Sequence, residues 1–410
     1  MLCVRRRDIV SAVAPLDYQA LTAALAGQAL PAAILDLDRL DANAASLLAR
    51  AKGIPIRLGT KSIRCTEVLR RLLVPGSGFQ GLLCYSGREA AWLASIGFDD
   101  LLVAYPTTEP ADLAAVAEQL AAGKSITLMV DDAAQLARLE VQPRPAGMRW
   151  RLAIDLDMSS SFPGLYFGVQ RSPVRGPDAM VGLAKMISVR PDCFEFVGLM
   201  GYEAQIAGLQ DDVPGAGLKN PLVRWLKKRS LREILKRRQD CVAALKAAGL
   251  APRLVNGGGT GSVAETACDA SVTEIAAGSG LYCPGLFDHF RGFKLAPALL
   301  FALPVVRRPR PGIVTCSGGG YIASGPTGPD RAPIPTLPAG LKLLPLEGAG
   351  EVQTPLALPP GLDLPIGAPV FFRHAKAGEL AERFQRFLLL RGGRIVGEAK
   401  TYRGEGQSFF

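Results

Sequence analysis

The sequence is poor in histidine: two residues, His289 and His374, in a chain of 410. A three-histidine metal site is therefore excluded. Any serine–histidine or cysteine–histidine hydrolase would have to use one of those two, and no G-x-S-x-G nucleophile elbow accompanies them. Eight cysteines (Cys3, Cys65, Cys84, Cys193, Cys241, Cys268, Cys283, Cys316) are scattered and form no C-x-x-C pair. In a long chain without a secretory segment they are expected as reduced, buried thiols. No apolar run approaches the roughly 20 residues of a membrane span. The stretch MLCVRRRDIVSAVAPL is basic but has no long apolar segment behind it, so a cytoplasmic protein without a signal peptide is expected. Zinc-finger spacing and RNA-binding aromatic motifs are absent too.

What is present is ordinary globular composition, 49% hydrophobic and 20% charged, over a length sufficient for two domains. Collagen-like, coiled-coil and largely disordered readings are excluded. The net charge of +10 is partly local: Arg224, Lys227, Lys228, Arg229, Arg232, Lys236, Arg237 and Arg238 crowd the stretch RWLKKRSLREILKRR. Its leucines recur at helical spacing, so it reads as a solvated helix face. Neither a nucleic acid nor a membrane is expected as partner.

From residue 54 short apolar runs alternate with longer amphipathic stretches. The runs occupy 54–60, 80–86, 99–106, 125–131, 149–157, 194–203, 253–259 and 273–279. Segments such as GREAAWLASI and EPADLAAVAEQLAA between them carry helix-period apolar residues and acidic first turns. Eight strand–helix units over some 230 residues match a (β/α)8 barrel of the TIM type. A doubly wound sheet is disfavoured because no G-x-G-x-x-G follows the first strand. PAAILDLDRL (31–40) precedes the eight and leads into a helix, an opening element that could be shared with the second domain. After about residue 295 proline and glycine become frequent between short β-like runs, which argues for a C-terminal β domain. The expected organisation is 1–44 opening strand and helix, 45–294 barrel, 295–410 β domain.

In a barrel the active site lies at the C-terminal strand ends. Lys61 follows the first strand, Asp155 and Asp157 end the fifth, and Tyr202 and Glu203 end the sixth. NGGGTG, with Gly258, Gly259 and Thr260, follows the seventh; Gly278 and Ser279 follow the eighth. Glycines let the backbone approach an anion, and two such loops at these strand ends suit a phosphate. A phosphate site facing a rim lysine suggests pyridoxal phosphate, which needs a Schiff-base lysine and an anion cradle. The pairs Asp36/Asp38 and Asp155/Asp157 read as strand-end capping groups, and Trp150, Tyr166 and Phe167 as packing.

These segments resemble the alanine racemase-like, fold-type III pyridoxal-phosphate enzymes, closest to the D-threonine aldolase and D-serine dehydratase group and its amino acid deaminase/aldolase subgroup. The resemblance rests on PAAILDLDRLDANA, IRLGTKSIRC, GLMGYEAQ, LVNGGGTG, EIAAGSGLY, EGAGEVQTP and FFRHAKAGEL, in that order over nearly the whole chain. It implies Lys61 as the cofactor lysine, Tyr202 and His374 as acid/base groups, and Gly258, Gly259, Thr260, Gly278 and Ser279 as phosphate binders. It also implies a homodimer. The activity implied is a lyase acting on a β-hydroxy, D-configured amino acid through an external aldimine, by retro-aldol cleavage or dehydrative deamination. A racemase or epimerase, and a non-catalytic pyridoxal-phosphate homeostasis protein, are the alternatives.

Two departures stand out. The group's metal site pairs a histidine with a cysteine or aspartate two residues on, whereas this chain has His374-Ala375-Lys376. A protonated lysine cannot ligate a metal. Either the metal is dispensed with, or Glu351 or Glu379 contributes, or Lys376 replaces its charge. The group's arginine after the fifth strand is also displaced, leaving Arg171 as the candidate partner of the pyridine ring. Glu203 could orient a ring nitrogen or pair with an arginine.

Overall fold

The structure is a computed structural model that describes residues 13–376 and 378–409. Cys3 and most of the basic N-terminal stretch lie outside the described residues. The chain divides into two compact units. A barrel unit comprises Leu47–Lys61 and Leu72–Gly278 with Phe409; a β unit comprises the chain up to Ser46, Ser62–Arg71 and Ser279–Ser408.

In the barrel unit all eight apolar runs are strands: Ile56–Gly59, Phe79–Cys84, Leu101–Val103, Ile126–Val130, Trp150–Asp155, Phe194–Gly201, Leu254–Gly257 and Glu274–Ala277. They pair in parallel in chain order, and the eighth closes on the first through Ile275↔Ile56. Strands covered on both faces read as continuous apolar runs, as in the fully buried Ile126–Val130. Helices return the chain between them, and their starts are written in the sequence. Ser86 caps Gly87–Ser95 by accepting from Glu89 N–H, and Asp132 with Gln135 forms a capping box on Ala133–Val141. Pro110 and Pro177 stand at the first turns of their helices. Trp150 is buried and donates its Nε1–H to the carbonyl of Leu139.

The basic stretch is part of one helix, Lys219–Ala247. Lys228, Arg229, Arg232 and Lys236 are exposed, as a solvated face requires, but two of the eight cations depart from that reading. Lys227 and Arg238 are buried, Arg238 completely. Acidic groups distant in sequence meet them: Asp211 for Lys227, Glu203 and Asp269 for Arg238. A buried charge persists only when paired in this way.

In the β unit, among the described residues, nine strands form one sheet. The opening strand, Ala32–Asp36, lies inside it, antiparallel to Leu299–Arg310 and parallel to Arg386–Arg391. Ala32, Ile34, Leu300, Ala302, Phe371, Leu388 and Leu390 form a core on one face of that sheet. Asp36 ends the strand and accepts the N–H groups of Asp38 and Arg39, capping the helix Leu37–Ala51. The proline-rich run APIPTLPAG contains a strand, Ile334–Leu337, paired on one side with Pro369–Arg373. Proline is tolerated there because an edge strand leaves one N–H row unused. Among the described residues, no helix is long and apolar enough to cross a membrane.

Candidate active site

The barrel's strand ends assemble a compact group of cations and phenols. Lys61 sits in a tight turn, Thr60–Ser62, directly after the first strand. Buried Thr60 fixes the turn by donating its hydroxyl to the Leu83 carbonyl at 3.0 Å. The exposed Lys61 Nζ donates to the Tyr105 hydroxyl at 3.3 Å and lies 5.9 Å from the centre of that ring. Tyr105 follows the third strand. The Arg171 guanidinium lies 5.5 Å over the Tyr105 ring and 5.8 Å over the Tyr202 ring. Tyr202 follows the sixth strand, so groups from well-separated stretches of sequence converge on one mouth.

The two phenols are electrostatically different. Burial pushes the Tyr105 hydroxyl up, but Lys61 and Arg171 together outweigh it and hold the group below the ordinary phenol range. Burial pushes Tyr202 up to about 12, so it remains a proton donor at neutral pH. Asp155, the last residue of the fifth strand, is raised to about 7 by burial and by Asp131, against the pull of Arg171. Asp157 is engaged structurally: it accepts the N–H and hydroxyl of Ser159 and pairs with Arg175 at 2.9 Å.

The glycine loop after the seventh strand is locked from beneath. Gly258 has φ +86, and a Cβ there would lie 2.8 Å from Ile275. Its N–H donates to Glu203 Oε2 at 2.6 Å. The other Glu203 oxygen is bound by Arg238, which also holds Asp269 at 2.9 Å and the Gly201 carbonyl at 2.9 Å. Glu203 thus pairs with an arginine, one of its two expected roles, and ties the loop to the strand end that carries Tyr202. A Cβ on Gly259 would lie 2.8 Å from Ala207 and 3.0 Å from the Tyr202 ring. The Gly259 N–H is held by Ser262 Oγ at 3.1 Å, and the Thr260 carbonyl accepts from Arg50 at 3.0 Å. Gly278 follows the eighth strand and Ser279 opens the short helix Ser279–Tyr282.

Of the residues predicted from sequence, Lys61, Arg171 and Tyr202 meet in one cluster, and Gly259 adjoins Tyr202. His374 and Ser279 belong to the β unit. Tyr105, Glu203 and Arg238 acquire their positions only by folding. The one sequence signal for Tyr105 was its place at the end of the strand run 99–106.

In the β unit, buried His374 follows the strand Pro369–Arg373 and its carbonyl accepts from Gly285 N–H at 3.0 Å. Its side chain lines a cavity of about 580 Å³ with Tyr321, Ser324, Lys376, Glu379 and Arg383. Among the described residues, no three His, Cys, Asp or Glu side chains converge as a metal site. With lysine at 376, this donor set does not fit a resident divalent ion. The barrel mouth does fit an aldehyde bearing a phosphate. Lys61 offers an exposed primary amine and Arg171 a second positive charge, beside a glycine loop whose Gly258 and Gly259 N–H groups are held by Glu203 and Ser262.

Comparison with known proteins gives the same direction. The family description "Alanine racemase, N-terminal domain" matches residues 35–284. The 3-hydroxy-D-aspartate aldolase of Paracoccus denitrificans (strain Pd 1222) is 28% identical over 251 residues, 61% of this chain and 59% of that protein. The chain thus spans less than two thirds of that relative's length. The D-threonine aldolase of an Arthrobacter species is 25% identical, over 70% of this chain and 71% of its own. The crystal structure of D-threonine aldolase from Filomicrobium marinum superposes with TM-score 0.78 at 21% identity, covering 93% of this chain and 96% of that one. D-threo-3-hydroxyaspartate dehydratase from Delftia sp. HT23 gives TM-score 0.69 at 19% identity, with 92% and 98% covered. At these identities the solved structures speak for the fold.

Proposed function

The chain belongs to the alanine racemase N-terminal domain family, and from that premise we propose that it is a pyridoxal-phosphate-dependent lyase acting on a β-hydroxy, D-configured amino acid. The observation that carries the reading is the Lys61–Tyr105–Arg171–Tyr202 cluster at the barrel mouth, in a chain similar to D-threonine and 3-hydroxyaspartate aldolases.

Lys61 would hold the cofactor through Nζ. Thr260, Gly278 and Ser279 would supply the backbone and hydroxyl groups for its phosphate, beside Gly258 and Gly259, whose N–H groups are bound to Glu203 and Ser262, and Arg171 would face its ring. Bound pyridoxal phosphate supplies an electron sink for charge developing at the substrate's α-carbon. The protein's own groups manage protons. Once released, the Lys61 amine is a base, and Tyr105, 3.3 Å away, can pass a proton to or from it. Tyr202, kept protonated, donates hydrogen bonds and does not act as the base. In retro-aldol cleavage the β-hydroxyl loses its proton, the Cα–Cβ bond breaks, an aldehyde leaves and Cα takes a proton. In dehydrative deamination Cα loses its proton and the β-hydroxyl leaves as water; the enamine product tautomerises to an imine, which water hydrolyses to a keto acid and ammonia. His374 is proposed as the acid/base contribution of the β unit, and a homodimer as the working assembly.

The test is the visible absorbance of purified protein supplied with pyridoxal phosphate, before and after borohydride, beside Lys61→Ala. A yellow band in the wild type, reduced by borohydride and missing in the variant, is expected. β-Hydroxy amino acids of both hands are then screened for aldehyde or keto-acid release. A wild type that stays colourless overturns the reading. Loss of optical activity without release of either product moves the chain to the racemases.

A further inference from the structure

We propose that the cavity around His374 in the β unit binds a small carboxylate anion, where the resemblance to metal-dependent lyases would put a divalent cation. The inference goes beyond the lyase reading and does not rest on it.

The charges lining the cavity decide its ligand. Three cationic side chains face it: Lys376, Arg383 and Arg403. Among the described residues, no carboxylate pairs with Arg383 or Arg403. Arg383 instead lies 6.0 Å over the Tyr321 ring, which holds the guanidinium plane while leaving its edge donors available. The two acids in the lining are both engaged. Glu382 pairs with Arg64 at 2.6 Å, and Glu379 accepts the Ser324 N–H at 3.0 Å. The lining is therefore positive on balance, the reverse of what a divalent cation requires. Lysine and arginine carry donors and no acceptor, so neither can ligate a cation while protonated.

The donor geometry favours a carboxylate. The arginine fork matches its two oxygens, and a lysine supplies a point charge beside it. Tyr321, Ile322 and Leu380 add an apolar wall for a carbon skeleton. At about 580 Å³ the cavity holds a small organic acid with room for its hydration.

The experiment is calorimetric titration of the full-length protein with malonate, beside inorganic phosphate, Mn²⁺ and Zn²⁺ at matched ionic strength. Expected are saturable malonate binding and a loss of affinity of about tenfold or more in each of Arg383→Gln and Arg403→Gln, since each removes a charge-assisted hydrogen-bond donor. Both arginines are exposed, and thermal melts matching the wild type establish that the variants fold. The proposal is overturned by absence of malonate binding, or by malonate affinity unchanged in both variants. Phosphate binding tighter than malonate overturns the carboxylate class. Binding of Mn²⁺ or Zn²⁺ that His374→Ala abolishes overturns the anion site itself. The titration reads binding alone, so its result is separable from the fate of the lyase reading.

Discussion

Lys61 and Tyr105, 44 residues apart in sequence, stand with Nζ and phenol oxygen 3.3 Å apart at the ends of the first and third barrel strands. With Arg171 over the same ring, this phenol is surrounded by positive charge. The arrangement makes an amine and a phenol into one proton-sharing unit.

A first prediction concerns that phenol. In the cofactor-free chain Tyr105 is expected to ionise before the other tyrosines whose shifts are resolved, because Tyr18, Tyr202, Tyr282 and Tyr321 are all raised by burial. Tyrosinate absorbance followed against pH should show an early step. Tyr105→Phe removes the step, and Arg171→Gln moves it to higher pH. A step unchanged by both substitutions would place the low-pH phenol elsewhere.

Asp155 links stability to pH. Its folded pKa is about 7 against a reference of 3.8, so between those values the folded chain keeps a proton that the unfolded chain has released. Its contribution is full below the unfolded pKa and is lost as pH rises through about 7, at up to about 1.4 kcal/mol per pH unit. Asp155→Asn abolishes this dependence. Urea unfolding at pH about 5 and about 8 should show the variant gaining on the wild type at the higher pH.

The buried cluster under the glycine loop should be costly to break. Arg238→Met leaves Glu203 and Asp269 buried without their cation, a loss of about 3–5 kcal/mol. Glu203→Gln should cost less, because an amide oxygen can still accept from Gly258 N–H. Denaturant midpoints of the two variants rank the effects, and equal losses would contradict the ordering.

Gly259→Ala tests the packing of Tyr202 against the loop. The new methyl would meet Ala207 at 2.8 Å and the Tyr202 ring at 3.0 Å, an overpacking that costs about 1–3 kcal/mol. Affinity for pyridoxal phosphate, read from the yellow band, should fall with it. Gly292→Ala, whose Cβ meets nothing within 4 Å at an exposed loop position, is the control and should change stability by no more than about 0.5 kcal/mol.

The barrel was legible because its strands are covered on both faces and appear as apolar runs whatever their partners. The helices between them announce themselves through local caps such as Ser86 and Asp132. Lys61 and the glycine loop were legible for the same local reason, since a lysine at a strand end and glycines before a turn carry meaning within a few residues. The β unit was less so. Pro335 hides a strand that exists because it lies at a sheet edge, and nothing local says that Ala32–Asp36 pairs with strands more than 260 residues later.

By itself, then, the sequence determined the strand–helix rhythm, the number of barrel strands, the candidate lysine and the glycine-rich loops, all set by short-range pattern. Tertiary structure alone decided which charges are buried and whom they meet. Lys227 and Arg238 look like solvated helix charges until Asp211, Glu203 and Asp269 close on them, and Tyr105 is only one residue at the end of a strand run until Lys61 and Arg171 surround it. The physical reason is that desolvation and Coulomb attraction depend on distance through space, and folding brings together groups that the chain holds far apart.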